Sequence, residues 1–315
     1  MNKISEKISD YIKGKRPSLS TGSLKTYTSI IRNLYEKIFL DDLYDLEKFG
    51  KVDQVLMYLR NIKRNTRKTY LSALIVVTDG KIQEYKDMMK KDVNKYIKEM
   101  EKQEKSESQK INWITPNEIK LIYKMYQNNF NLLMKKSKED LTKEDILQMR
   151  DFVIIAVMGG EHIEPRRLKD YVDMKIKNVD KDKDNYIDDK FQNFVFNSYK
   201  TAKFYGLQKL KIPIKLKNIL IKWLKINPTD FLFFDSNQNQ LVNVQLNQVL
   251  NKIFSITNKN ISVNILRHVY LTDRYGSALN GSILKHKKSI DNDIFNTMKN
   301  MGSSQSMITT YVKND

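Results

Sequence analysis

Four short clusters in the chain gather side chains suited to handling a phosphate. Glu164-Pro165-Arg166-Arg167-Leu168-Lys169-Asp170-Tyr171 sets two adjacent arginines after a proline, just past the Gly159-Gly160 break and at a helix start. A guanidinium there could hold two oxygens of one phosphate, helped by the positive end of the helix dipole. Asp170, three residues after Arg167, could orient it from the same helix face. Tyr199-Lys200-Thr201-Ala202-Lys203 falls where a hairpin is expected, and Lys200 or Lys203 could reach a cleft from it as a point charge or proton donor. In Val263-Asn264-Ile265-Leu266-Arg267-His268-Val269-Tyr270, Asn264 and Arg267 share a helix face, while Leu266, Val269 and Tyr270 form the buried side. His268 points elsewhere, toward a core or supporting role. The last cluster is Met301-Gly302-Ser303-Ser304, followed by Met307 and by Tyr311 within Thr309-Thr310-Tyr311-Val312-Lys313. A tyrosine so near the end of the sequence can be mobile and presented.

Composition narrows the chemistry. The 315 residues include no cysteine, which excludes a thiol nucleophile, an iron–sulfur cluster, a disulfide scaffold and a cysteine zinc site. Three scattered histidines leave little room for a histidine metal site, so no metal is expected. Lys plus Arg is 56 against 37 Asp plus Glu, a net charge of +19, which points to a polyanion partner, most often nucleic acid. No apolar run of about 18 residues is present, so no membrane helix is expected. The opening MNKISEKISDYIKGK alternates charged with apolar residues and does not read as a signal peptide, which suggests an intracellular protein.

Taken in order, Arg, Lys, x-x-Arg, Gly-x and Tyr resemble the tyrosine recombinase (phage integrase) superfamily. Leu266-Arg267-His268 resembles that family's Leu-Arg-His segment, and Met301-Gly302-Ser303-Ser304 to Tyr311 resembles its Leu-Gly-His-Ser to Tyr segment. Pro165-Arg166-Arg167 with Asp170-Tyr171 is similar to the first box in integrases of large DNA viruses and virophages. The resemblance spans 113–315. It implies that Arg167 is the first catalytic arginine, with Arg166 as its alternate, and that Asp170 is the supporting acid. It implies Lys200 as the hairpin lysine with Lys203 as alternate, Arg267 as the second arginine, and Tyr311 as the nucleophile. The family's two histidine positions hold Asn264 and Ser303, which can hydrogen-bond a phosphate oxygen but cannot act as a base near neutral pH. The implied enzyme is a site-specific DNA recombinase working through a 3′-phosphotyrosine without a cofactor. It would act on double-stranded DNA as a homotetramer on paired sites, encoded by a virus or mobile element and working in the host compartment that holds the DNA. Two alternatives stay open: a type IB-like topoisomerase, and a catalytically degenerate DNA-binding protein.

These residues need a scaffold. Residues 1–105 read as a helical domain, with Leu24, Tyr27, Ile30, Ile31 and Leu34 at helical spacing. The resemblance makes it a core-binding DNA clamp, with Lys25, Arg64, Arg67 and Lys68 as DNA contacts. Residues 106–113 read as a linker, within a polar, charged stretch. The domain at 114–315 opens with Thr115-Pro116 and Glu118, a capping box with proline at the first helical position. Helices are expected near 144–158, 215–226, 242–254, 263–276 and 291–300, with a last one holding Tyr311. Phe194-Val195-Phe196 and Leu210 to Ile214 read as a hairpin or short sheet. The expected fold class is mainly α with a small β-sheet (α+β), a helical domain followed by a tyrosine-recombinase catalytic domain.

Overall fold

The computed structural model describes residues 3–41, 44–280 and 287–314. The chain divides into two compact units, Met1–Glu101 and Lys102–Asp315. The first holds helices α1 (Lys3–Lys15), α2 (Thr21–Ile38), α3 (Val52–Arg60), α4 (Arg64–Val77) and α5 (Gln83–Glu101). Ser20 starts α2 by accepting the Ser23 amide at 3.2 Å. The apolar residues at three- and four-residue spacing turn inward, so Ile8, Ile12, Ile31, Leu34, Leu71 and Leu74 share one core with Phe49 and Tyr85. The Tyr85 hydroxyl would be costly to bury unpaired, and it donates to the Phe49 carbonyl at 2.6 Å.

The second unit begins with α6 (Glu107–Asn112), a short helix inside the segment expected to be a linker, and α7 (Pro116–Leu133). The capping box at the start of α7 forms as the sequence indicates: Thr115 Oγ accepts the Glu118 amide at 3.2 Å, and the Glu118 carboxylate accepts the Thr115 amide at 2.8 Å. Helix α8 (Lys143–Met158) is buried on every side from Met149 to Met158, as its uninterrupted Phe-Val-Ile-Ile-Ala-Val-Met run requires. It is the central helix, packed by α7, α11 (Ile214–Ile226) and α12 (Asn243–Ile253). Its one deeply buried guanidinium, Arg150, is paired with Asp151 at 2.6 Å and donates to the Phe234 carbonyl at 2.7 Å.

Between α9 (Leu168–Val172) and α11 lies a four-stranded sheet in the order β1 (Met174–Lys175), β2 (Asn185–Ile187), β3 (Asn193–Phe196) and β4 (Gln208–Lys211). β1 and β2 are parallel, and the other neighbours are antiparallel, with Phe194 opposite Leu210 and Phe196 opposite Gln208. The hairpin of β3 and β4 matches the expected strand region. β1 and β2 were not anticipated, because two and three residues are too few to show alternation. The β3–β4 connection carries a short helix, α10 (Ala202–Tyr205). The chain then closes with α13 (Val263–Asn280), α14 (Lys287–Asn300) and α15 (Ile308–Tyr311), which with the residues just after α14 and α15 form a local core of Leu271, Tyr275, Ile294, Met298, Met301, Ile308 and Val312. No helix among the described residues is long and apolar enough to cross a membrane.

Candidate active site

The site is built on the turn that ends α14. Gly302 adopts φ +64°, and the Ser303 and Gly302 amides donate back to Met298 and Lys299, a left-handed helix cap. A Cβ on Gly302 would lie 2.9 Å from Arg166 Nη2, so both the conformation and the space require glycine. The turn directs four oxygens at three arginines. Arg166 donates to the Asn300 carbonyl and Arg167 to the Gly302 carbonyl. Arg267 donates to the Met301 carbonyl at 3.0 Å. The Ser303 hydroxyl accepts from Arg167 Nη2 at 3.0 Å and from Arg267 Nη2 at 2.7 Å.

The two adjacent arginines differ in their surroundings. Arg166 is fully buried, with Nε donating to Asp170 at 2.8 Å, Nη1 to Gln208 Oε1 at 2.9 Å, and its plane 3.9 Å from the centre of the Phe196 ring. Arg167, the residue before α9, is only partly buried and faces Ser303. Asp170 therefore pairs directly with Arg166, while its charge also acts on Arg167 and Arg267.

Arg267 is fully buried on α13 and turns Nε to the Tyr311 hydroxyl at 3.1 Å; its Nη1 also donates to the Pro165 carbonyl at 2.9 Å. Tyr311 itself is only 7% exposed, a buried tyrosine. Its backbone carbonyl accepts from His268 Nδ1 at 2.7 Å, and the two rings lie 5.0 Å apart. Burial pushes the His268 imidazole down to about 4, so near neutral pH the ring is uncharged and carries its proton on Nδ1. Burial alone would push the Tyr311 phenol up. The charge and hydrogen bond of Arg267, the charge of Arg167 and a hydrogen bond from Ser303 outweigh it, and the phenol rests below the usual tyrosine value.

No protein-family model matches the chain. No curated protein matches it. Among solved structures, a lambda integrase dimer bound to a COC′ core site is similar over 97% of this chain and 76% of its own, at 16% identity and a TM-score of 0.51. A second structure of that integrase dimer on the same core site is similar over 99% of this chain and 94% of its own, at 12% identity and a TM-score of 0.51. The chain has the tyrosine-recombinase fold.

Within this tyrosine-recombinase fold, Arg167, Arg267, Ser303 and Tyr311 come together, with Asp170, Arg166 and His268 packed around them. Lys200 and Lys203 do not touch the group: both are exposed on the β3–β4 connection. That connection is nonetheless tied to the site, because Thr201, next to Lys200, donates its hydroxyl to the Gly302 carbonyl at 3.1 Å. Asn264 is exposed on the first turn of α13, and its side chain makes no hydrogen bond among the described residues.

Sequence reasoning missed three supports. Gln208 holds Arg166, and its signal was a polar residue at an inward strand position, level with buried Leu210. Asn185 is completely buried; it donates to the Asp170 and Ser198 carbonyls and accepts the Asn197 and Ser198 amides, joining α9 to the loop that carries Lys200. Thr201 had no distinguishing signal. In the first unit, Arg67 is committed to a two-bond pair with Asp92, both at 2.7 Å, and Arg64 pairs with Glu99 at 2.7 Å. The Lys68 ammonium lies 4.8 Å over the Tyr96 ring, and Lys25 is exposed. Among the described residues no group of three potential metal ligands occurs.

Proposed function

We propose that this chain is a site-specific DNA recombinase that cuts and rejoins strands through a 3′-phosphotyrosine. The observation that supports it most is the convergence of Arg167, Arg267 and the Tyr311 hydroxyl on the single hydroxyl of Ser303. In the reaction the Tyr311 phenol releases its proton to solvent, its oxygen attacks the scissile phosphorus, the phosphorus–5′-oxygen bond breaks, and the leaving oxygen takes a proton. Arg167 and Arg267 neutralise the non-bridging oxygens as charge builds. Lys200 supplies the proton once DNA draws its loop inward, with Lys203 as the alternate donor. A 5′-hydroxyl from a partner strand then attacks the phosphotyrosine and returns the phenol. The covalent link keeps the bond energy, so the two steps balance without an energy-rich cofactor.

Arginine, rather than histidine, activates the phenol here, since Ser303 and Asn264 stand where the family resemblance has histidines. Arg166 and Asp170 act as supports. The first unit serves as a DNA clamp through cations such as exposed Lys25 and half-buried Lys68, whereas Arg67 and Arg64 brace helices. The boundaries of that clamp at 1–105, the joining segment at 106–113 and a catalytic domain at 114–315 belong to the same proposal. So do a homotetramer on paired sites, an intracellular place of action and an origin in a virus or mobile element.

The test is a nicked suicide duplex carrying the chain's own site, selected from fragments bound by Tyr311→Phe. Wild type should form a covalent adduct and Tyr311→Phe none; an adduct that survives the substitution sinks the proposal. The exposed position of Asn264 favours one other reading, a degenerate DNA-binding protein, for which wild type forms no adduct. Relaxation of supercoiled plasmid lacking paired sites would indicate a topoisomerase.

A further inference from the structure

The four residues from Tyr311 to Asn314 are held along both edges. On one edge α13 provides His268 Nδ1 to the Tyr311 carbonyl at 2.7 Å and Thr272 Oγ to the Lys313 amide at 3.0 Å. On the other edge lies the start of the second unit. The Gln103 carbonyl accepts the Asn314 amide at 2.9 Å, the Gln103 side chain donates to the Val312 carbonyl at 3.4 Å, and the Lys102 carbonyl accepts from Asn314 Nδ2 at 2.9 Å. Gln103 makes these contacts from φ +54°, a left-handed conformation that costs a non-glycine residue free energy. Strain of that kind persists only where surrounding contacts impose it. Here the imposing contacts run to the segment that carries the candidate nucleophile.

Resting on the strand-transfer reading above, we infer that Gln103 is a positioning residue for Tyr311: its left-handed turn aims the Gln103 and Lys102 carbonyls at the residues behind the nucleophile. It touches neither DNA nor the reacting atoms. Its effect is on where the phenol stands relative to Arg267 and Ser303, and misplacing a reacting group by about 1 Å can cost on the order of a hundredfold in rate.

The experiment compares full-length Gln103→Val, Gln103→Asn, Asn314→Pro and wild type. Valine resists φ above zero, whereas asparagine tolerates it. Asn314→Pro removes the amide given to Gln103 at an exposed position, where loss of folding is not at issue. Single-turnover adduct formation on the suicide duplex should fall by about tenfold or more for Gln103→Val and Asn314→Pro. Gln103→Asn should stay within about threefold of wild type, and duplex affinity within about twofold for all three. A readout independent of cleavage is the ultraviolet titration of the Tyr311 phenol, isolated by subtracting Tyr311→Phe. It should move to higher pH in Gln103→Val and Asn314→Pro, and not in Gln103→Asn. Wild-type rates and an unmoved phenol in both disruptive variants overturn the inference. A moved phenol with no adduct even from wild type leaves the brace intact and overturns the strand-transfer reading instead.

Discussion

At the scale of single residues, the two groups flanking the backbone of Tyr311 set the pH behaviour. Its phenol lies below the ordinary tyrosine value because Arg267, Arg167 and Ser303 together outweigh burial. On the proposed mechanism the cleavage rate should therefore rise with pH and level off below about 10. Ser303→Ala removes one of the stabilising hydrogen bonds, so its midpoint should move up; a pH–rate profile of adduct formation checks this. His268 is also held below its ordinary value, but here burial itself is the cause. Its proton is bound near pH 6.5 in the unfolded chain and only at about 4 in the folded one. Between those values the unfolded chain holds more protons, so the contribution to stability is full above the upper value and is lost as pH falls through the window. The loss is at most about 3 kcal/mol. Urea unfolding at stepped pH should show it in wild type, while His268→Asn, which keeps a donor but does not titrate, should show a flatter difference.

At the scale of elements, the turn at 300–303 is the part least replaceable. Gly302→Ala puts a methyl group 2.9 Å from Arg166 and forces φ +64° on an L-residue. The variant should lose about 1–3 kcal/mol of stability and all adduct formation; thermal unfolding and the adduct assay check the two effects. The sequence made much of this scale legible. Thr115-Pro116 and Glu118 announced the start of α7, the apolar run announced buried α8, and the Phe194 to Phe196 stretch announced a strand. These signals are local, set by neighbours three or four residues away. What stayed hidden was non-local. Gln208 meets Arg166 across 42 positions, and Gln103 meets Val312 across 209. The oxygens that Asn300, Met301 and Gly302 give to arginine are backbone atoms, which every residue type carries alike, so no sequence pattern could mark them. The mainly helical α+β class was legible because its helices are long and periodic, while β1 and β2 escaped for being two and three residues long.

At the scale of the whole molecule, the charge of +19 is the dominant fact. If it is a DNA footprint, affinity must fall steeply with salt, since each phosphate contact releases condensed counterions. Gel-shift affinities between 50 and 200 mM salt should weaken by on the order of a thousandfold for about six contacts. Lys25→Ala should lower that slope, and Arg67→Ala should act on the folding of the bundle, because Arg67 is occupied by Asp92. The oxygens that the 300–303 turn sets against the guanidinium groups have one more consequence, for selectivity among phosphates. Arg167 and Arg267 are solvated by protein oxygens, so any anion must displace an internal ligand before it gains a contact. A small free phosphate brings too few contacts to win that exchange, whereas a duplex gripped along its backbone brings many. Inorganic phosphate at about 10 mM, added at constant ionic strength, should leave adduct formation within about twofold, and a guanidinium pair kept bare would have been inhibited. On the proposed function, the internal ligand would work as a threshold that admits polymers and turns away metabolites.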